Sequence, residues 1–513
     1  MTGLAYSPDT PSQAATYMRD RLQELRIVWA GTEGFAAHTE VYLPKFEKET
    51  DPNYRRRKAN ARVRRNMFRQ AVERVTGRIF EVPVRLKEAS DFGKVFADDA
   101  DMRGNSLDRI ARNFYRDGLK LGIKHILIDY PVVNARNLAE ERKLKARPYL
   151  IEIDPEQVLR CFENGDGFIT HLAWQRVTVE WDESLGQETD VHYIEERFAV
   201  PGQDSYRKRT WKRIATIKSA LPGEARPVML GGIPSIAGKA QSYTWALDGE
   251  EQTVTAPRIM FHTLYAEEEG FMIGRTPLTE VKDLTIEHYQ LASDYRQCLK
   301  NVLFAILVAT GVDPKQMGDV VLGPDSILGS SDPNADFKYL EHNGKALEAG
   351  YKDLESLEQR AEAYAGRLTK ATGDVKATTE AINSAEVSSF AKDMAMSLQD
   401  KLQAICDDVA IWADAETIGT VEVNMDFAVD LPDGDLTVLQ SARSSGDLSR
   451  ETLWTELTRR NILSRDFDPD EEAKRLDEQE AESMKREQEA MRFASSLKEQ
   501  TGSGAPFPPK EEV

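Results

Sequence analysis

The chain has 513 residues, with 67 Lys and Arg against 86 Asp and Glu, a formal charge of −19. That balance excludes a protein that wraps nucleic acid on a freely exposed basic surface, because phosphate neutralisation needs positive faces. Its three cysteines, Cys161, Cys298 and Cys406, lie too far apart for a zinc or redox motif and are odd in number for a disulfide framework, so a reducing compartment is expected.

Residues 1–50 read as a short helical arm closing near Pro44. Over 53–80 the spacing predicts one basic amphipathic helix with apolar positions Ala59, Val63, Met67, Ala71 and Val75. Ten basic residues surround that stripe: Arg55, Arg56, Arg57, Lys58, Arg62, Arg64, Arg65, Arg69, Arg74 and Arg78. Packing or salt bridging to the acidic remainder suits them better than direct nucleic-acid contact. A helix capped by Ser106 buries Leu107, Ile110, Phe114 and Leu121, stops at Gly122 and feeds the strand IKHILIDYP. From Pro148 to about Ala266 short strands follow, with FENGDGF at 162–168 as a hairpin turn. This is a mixed α+β region.

After Pro277 a helix is predicted to about Thr310, where Gly311 and Pro314 stop it. A stretch rich in Gly, Pro, Asp and Ser comes next. A second helix restarts near Gly344 with the stripe Leu347, Tyr351, Leu354, Leu357, Ala361, Tyr364 and Leu368. After a polar break at 370–378, a third helix keeps its stripe at Ile382, Ala385, Phe390, Met394, Leu398, Leu402, Ile405, Val409 and Trp412. At 1.5 Å per residue it is roughly 50 Å long, which suggests a stalk more than a compact ball. A strand over 421–430, helices over 435–499 and a Pro/Gly-rich tail complete the chain. The longest apolar run, Val302 to Ala309, is far short of the roughly 20 residues of a spanning helix, and no membrane or export segment is expected.

Chemistry-bearing motifs are scarce. GGIPSIAGKA at 231–240 lacks the spacing and hydroxyl of a phosphate loop. The histidines never pair at i, i+4, no HExxH, CxxC or GxSxG occurs, and Asp98, Asp99 and Asp101 lack the rest of a calcium loop. No catalytic residue, metal or cofactor is expected, and the chain is read as a non-enzyme.

The element order, an α+β domain, long helix, excursion, long helix, polar loop, longer helix, strand and terminal helices, resembles the portal (head-to-tail connector) proteins of tailed bacteriophages. The phrases LGIKHILIDYP (121–131), RPYLIEI (147–153), GRTPLTEVKDLTIEHYQLASDY (274–295) and FKYLEHNGKALEAGYKDLESLE (337–358) carry the resemblance, which covers roughly 55–430. It implies an α+β portal-type fold: an N-terminal arm at 1–50, a mixed α/β wing at 51–276, a first stem helix at 277–309, a clip at 310–342 and a second stem helix at 343–369. A tunnel loop would follow at 370–378, a long wing helix and return strand at 379–430, a helical crown at 431–499 and a flexible tail at 500–513.

The function implied is a dodecameric ring at one capsid vertex of the virion, assembled in the host cytoplasm, through which double-stranded phage DNA is packaged and ejected. Its implied partners are the terminase, the scaffold and major capsid protein, and head-completion adaptor or tail proteins. Site residues follow from that picture. The tunnel loop offers Lys370, Thr372, Gly373, Asp374 and Lys376, and a seven-residue stripe of Glu341, Glu348, Glu355 and Glu362 would line the channel. The clip offers Asp313, Lys315, Asp319, Asp325 and Asp332 for docking. A head–tail adaptor or minor capsid protein, or a nucleic-acid-processing enzyme, are the rival classes.

Overall fold

A computed structural model describes residues 7–131, 146–183, 186–203, 205–216, 228–230, 233–235, 242–303, 306–311, 334–340, 345–367, 377–425, 434–459, 462–463 and 467–501. It is a mixed α+β chain whose sheets, among the described residues, are antiparallel, dividing into a unit at Met1–Phe427 and a second at Ala428–Val513.

The first unit begins with α1 (Gln13–Ala30), α2 (Thr32–Ala37) and α3 (Thr39–Tyr42). These residues, expected as an arm, carry Met18, Leu22, Leu25, Val28 and Phe35 into the main core, so the segment is a structural part of the body. The basic stretch is two helices where one was predicted, α4 (Asp51–Asn60) and α5 (Met67–Ile79). Asn66 is the reason. Its Oδ1 accepts from Arg69 N at 2.9 Å, capping a new helix, while its Nδ2 donates to Val28 O at 2.7 Å.

After β1 (Arg85–Lys87) and α6 (Asp91–Asp98), helix α7 (Leu107–Leu121) opens on the Ser106 cap, whose Oγ accepts from Arg109 N at 3.3 Å. It ends on Gly122 at φ 84°. A Cβ there would stand 2.6 Å from the Arg275 carbonyl carbon, so only glycine fits this left-handed turn against a neighbouring backbone. Strand β2 (Ile123–Asp129) follows at once, between β3 (Tyr149–Ile153) and β12 (Phe261–Tyr265). Its alternation sends Ile126 and Ile128 into the main core and Leu127 into a second cluster with Leu172, Trp174 and Tyr206.

The larger sheet runs β10 (Ser242–Leu247), β7 (Tyr206–Thr216), β6 (Gln187–Ala199), β5 (Ile169–Asp182) and β4 (Val158–Glu163), with β11 (Gln252–Val254) also on β7. The turn predicted at 162–168 joins β4 to β5; Asn164 Oδ1 accepts from the Asp166 and Phe168 amides at 3.1 and 2.9 Å. Small pairs are formed by β8 (Val228–Leu230) with β9 (Ile233–Ser235), and by β13 (Glu267–Gly270) with β14 (Ile273–Arg275).

Helix α8 (Thr279–Leu303) is shorter than predicted. Ile306–Thr310 is strand β15, paired antiparallel with β16 (Asp336–Leu340). The β-branched Ile306, Val308 and Thr310 suit a pleated ladder better than a helix interior, and the partner strand lies far along the chain. Helix α9 (Lys345–Arg367) and helix α10 (Ala377–Trp412) follow, the latter 36 residues and so roughly 54 Å long. Its stripe is buried at Met394, Leu398, Leu402, Ile405 and Val409. The strand expected over 421–430 is described only as β17 (Thr420–Glu422), paired with β1.

The second unit holds α11 (Gly434–Ser444), α12 (Arg450–Arg459) and α13 (Pro469–Thr501). Asp468 Oδ1 caps α13 by accepting from Asp470 N at 2.8 Å, and pairs such as Arg486–Glu482 at 3.0 Å line its surface. Along 471–492 this helix is polar on nearly every side. No helix among the described residues is long and apolar enough to cross a membrane.

Candidate functional site: a rooted helix pair with a strand excursion

The candidate site is built on α8 and α9. At its base α8 is held by buried polar ties that an apolar stripe alone would not supply. Thr285, fully buried, accepts from Phe68 N at 3.1 Å and donates to Val281 O at 2.7 Å. Lys282 pairs with Glu24 and, at 2.7 Å, with Asp283; burial would lower its pKa, but these carboxylates outweigh burial and raise it. Two turns beyond Lys282, Gln290 Nε2 donates to Tyr42 O at 2.9 Å. Arg57, only 2% exposed, bridges Glu49 at 2.8 Å and Asp294 at 3.5 Å.

The two helices run antiparallel. His288 Nε2 meets Glu358 Oε1 at 3.1 Å, and two turns along α8, Tyr295 lies against Gly350, two turns back along α9. A Cβ on Gly350 would stand 3.1 Å from the Tyr295 ring, so glycine permits the close approach. The register continues into the strands. Ile306 opposite Leu340 is nested about the same midpoint, within 312–333, as the helix pairs. The described parts, α8 with β15 and β16 with α9, therefore pair antiparallel in one nested register.

Burial falls along α9 away from the base. Leu354, Leu357, Ala361 and Ala365 are buried, while Glu348, Tyr351, Lys352 and Asp353 are exposed. Tyr351, a member of the predicted stripe, is 53% exposed. Its hydroxyl is hydrogen-bonded to Glu355, which raises its pKa.

The glutamate stripe is placed as follows. Glu348, Glu355 and Glu362 are all exposed on one face of α9, and Glu341 lies outside the described residues. They are not bare charges. Glu348 binds Lys352 at 2.8 Å, Glu355 binds Tyr351, and Glu362 pairs with Arg65, which also reaches Glu358 at 2.9 Å. Arg57 and Arg65, from the basic stretch, thus pair with carboxylates inside the chain. The tunnel-loop residues Lys370, Thr372, Gly373, Asp374 and Lys376 lie outside the described residues, as do the clip residues Asp313, Lys315, Asp319, Asp325 and Asp332.

Sequence reasoning missed the polar joints. His288 and Glu358 are 70 residues apart, and nothing local marks them as partners. A second joint ties α10 to β12. Asp408, 3% exposed at its side chain, accepts from His262 at 2.9 Å and from Arg258. Burial pushes its pKa up, but the two partners outweigh that and hold it below the usual carboxylate range. Among the described residues no group of three His, Cys, Asp or Glu side chains is set to hold a metal ion.

Residues 277–413, which include the helix pair and the whole of α10, match the family described as "Domain of unknown function (DUF4055)". No curated protein matches the chain. Among solved structures it is similar to a chain of the neck of a native GTA particle computed with C12 symmetry, at 10% identity and a TM-score of 0.39, over 76% of this chain and 88% of that one. It is also similar to a chain of the virion of a native gene transfer agent particle, at 11% identity and a TM-score of 0.37, over 74% and 86%. A chain of the neck of an empty GTA particle computed with C6 symmetry gives 11% identity and a TM-score of 0.38, over 74% and 86%. Such TM-scores are too low to establish a common fold.

Proposed function

We propose that the chain is a subunit of a portal ring, the head-to-tail connector at one vertex of a phage-like capsid, and that it is not an enzyme. The observation that carries this reading is the nested pairing of α8 with α9 and of β15 with β16: two helices anchored at one end in an α+β body, with a strand pair beyond them. In a closed ring, such excursions stand side by side around an axis, helices as the stem and strands as the tip. Contacts between different faces of neighbouring copies close such a ring, with twelve copies expected from the portal resemblance. Like the neck chains to which it is similar, the chain then stands in the neck of a particle.

The chemistry suits a conduit. A channel must pass DNA without gripping it, and a chain of charge −19 supplies acidic walls that repel phosphate. Glu348, Glu355 and Glu362 are the candidate lining, the charge of Glu362 being offset by Arg65, and Lys370 and Lys376, repeated around the bore, would touch phosphates without reading bases. The segment expected as the clip, residues 310–342, is the docking site for the terminase during packaging in the host cytoplasm and for head-completion proteins afterwards. The scaffold and major capsid protein are partners of the body.

Deleting Gly318–Gly329 tests this assignment. Rings are expected to form, seen by electron microscopy, while terminase no longer co-sediments with them and packaging stops. A deletion chain that still supports terminase-driven packaging overturns the assignment of the tip.

A further inference from the structure

Strands β5 and β6 outrun the sheet that holds them. β4 pairs with β5 only as far as Trp174, and β7 pairs with β6 only from Tyr193, so among the described residues 175–182 and 187–192 form a two-stranded ribbon without strand partners on either edge. It is about 20 Å long at 3.3 Å per residue. Such a ribbon is marginal alone in water.

This ribbon also wastes apolar surface. Val177, Val179 and Trp181 are 47%, 63% and 65% exposed, and alternation puts all three on one face. Directly opposite them on β6 stand His192, Asp190 and Glu188. One face therefore carries an apolar strip flanked by an acidic one.

The complementary arrangement lies on the same side of the sheet, on β7 and β10. There Trp211 opposes Leu247 and Arg213 opposes Trp245, and the Arg213 guanidinium sits 4.5 Å from the centroid of the Tyr243 ring. Tyr243 and Leu247 are half exposed. An apolar strip with a cation beside it thus faces solvent. Residues 7–12 cross the middle of the face, where Ser12 N donates to Leu159 O at 2.8 Å and Arg160 donates to Pro8 O at 2.9 Å. On either side of it Val179, Trp181, Tyr243 and Leu247 keep 46–65% of their surface exposed.

We infer that the ribbon of one copy docks on the β7–β10 patch of a second copy of this chain, Trp181 and Val179 against Tyr243 and Leu247, Glu188 and Asp190 against Arg213. The occupant follows from charge. Nucleic acid would suit Arg213 and the aromatic side chains but would be repelled by Glu188 and Asp190, whereas a second copy satisfies both halves with one contact. The inference deepens the ring reading by naming a wing-to-wing contact between neighbours.

Sedimentation velocity of the full chain over a concentration series tests it. Glu188→Lys/Asp190→Lys, Arg213→Glu and Trp181→Ser should each weaken self-association about tenfold or more, Trp181 because exposed aromatic anchors dominate such contacts. A chain carrying Glu188→Lys, Asp190→Lys and Arg213→Glu together should associate again, a rescue that simple misfolding would not give. Unchanged self-association in Trp181→Ser and in both charge reversals overturns the inference. If rings of these variants still form by microscopy, the ring reading stands and only the contact is lost. If instead Arg213→Glu abolishes binding of a 30-base-pair duplex, read by fluorescence anisotropy, and leaves self-association intact, the patch serves nucleic acid and the inference fails.

Discussion

Replacing Glu196 should cost more stability than replacing any surface carboxylate. Its side chain is 1% exposed and receives His171 Nε2 at 2.8 Å, Arg209 Nε at 2.6 Å, Trp211 Nε1 at 3.1 Å and Arg160 Nη2 at 3.3 Å. Breaking a buried ion pair by removing one partner typically costs about 3–5 kcal/mol. Arg209 and His171 keep 19% and 22% of their side-chain exposure, so water can reach them in part, and about 3 kcal/mol is expected for Glu196→Ala. Glu196→Gln keeps one acceptor but loses the charge, and about 2 kcal/mol is expected.

The pH dependence has a definite sign. Burial raises the Glu196 pKa, but the hydrogen bonds of His171, Arg209 and Trp211 outweigh it and hold the folded value below the ordinary one. The contribution is therefore fully present above the unfolded pKa of about 4.3 and is lost as pH falls through the folded value. Urea unfolding followed by tryptophan fluorescence reads both effects. A Glu196→Ala change below about 0.5 kcal/mol at pH 7, or a gap between parent and Glu196→Gln that widens on acidification, refutes the reasoning.

Two further outcomes follow from the fold. Glu358→Ala leaves the buried His288 ring nitrogen without its carboxylate, while Arg65 keeps Glu362. With Glu358 34% exposed, the loss is about 1–2 kcal/mol, and amide exchange should quicken in 279–303 and 345–367 but not in the β5–β7 sheet. Gly122→Ala places a methyl carbon against the Arg275 backbone at φ 84°, so a loss above roughly 2 kcal/mol and a lower Tm are expected. An Ala variant as stable as the parent would mean that this turn yields.

Local signals were legible in the sequence, and distant pairings were not. Ser106, the stripe from Leu107 to Leu121 and Gly122 announce a capped helix and its exit, because each feature acts on its own neighbours. Residues 306–309, the end of the apolar Val302–Ala309 run, read as helix until their partner strand at 336–340 is known, and only that pairing decides between the two. Asn66 resembles a helix-interior residue until it is seen to cap α5 and reach Val28. The glutamate spacing on α9 was visible, but its neutralisation at Glu362 depends on Arg65, almost 300 residues earlier. Likewise the Asp408 and His288 joints pair residues from separate elements, which periodicity cannot register.

The central claim, that this chain builds a closed ring around a channel, is met most directly by imaging. Electron microscopy of the purified full chain at micromolar concentration should give ring-shaped particles with a central hole, and class averages should show rotational symmetry. Compact monomers without a hole, persisting when concentration is raised and scaffold is added, would contradict it.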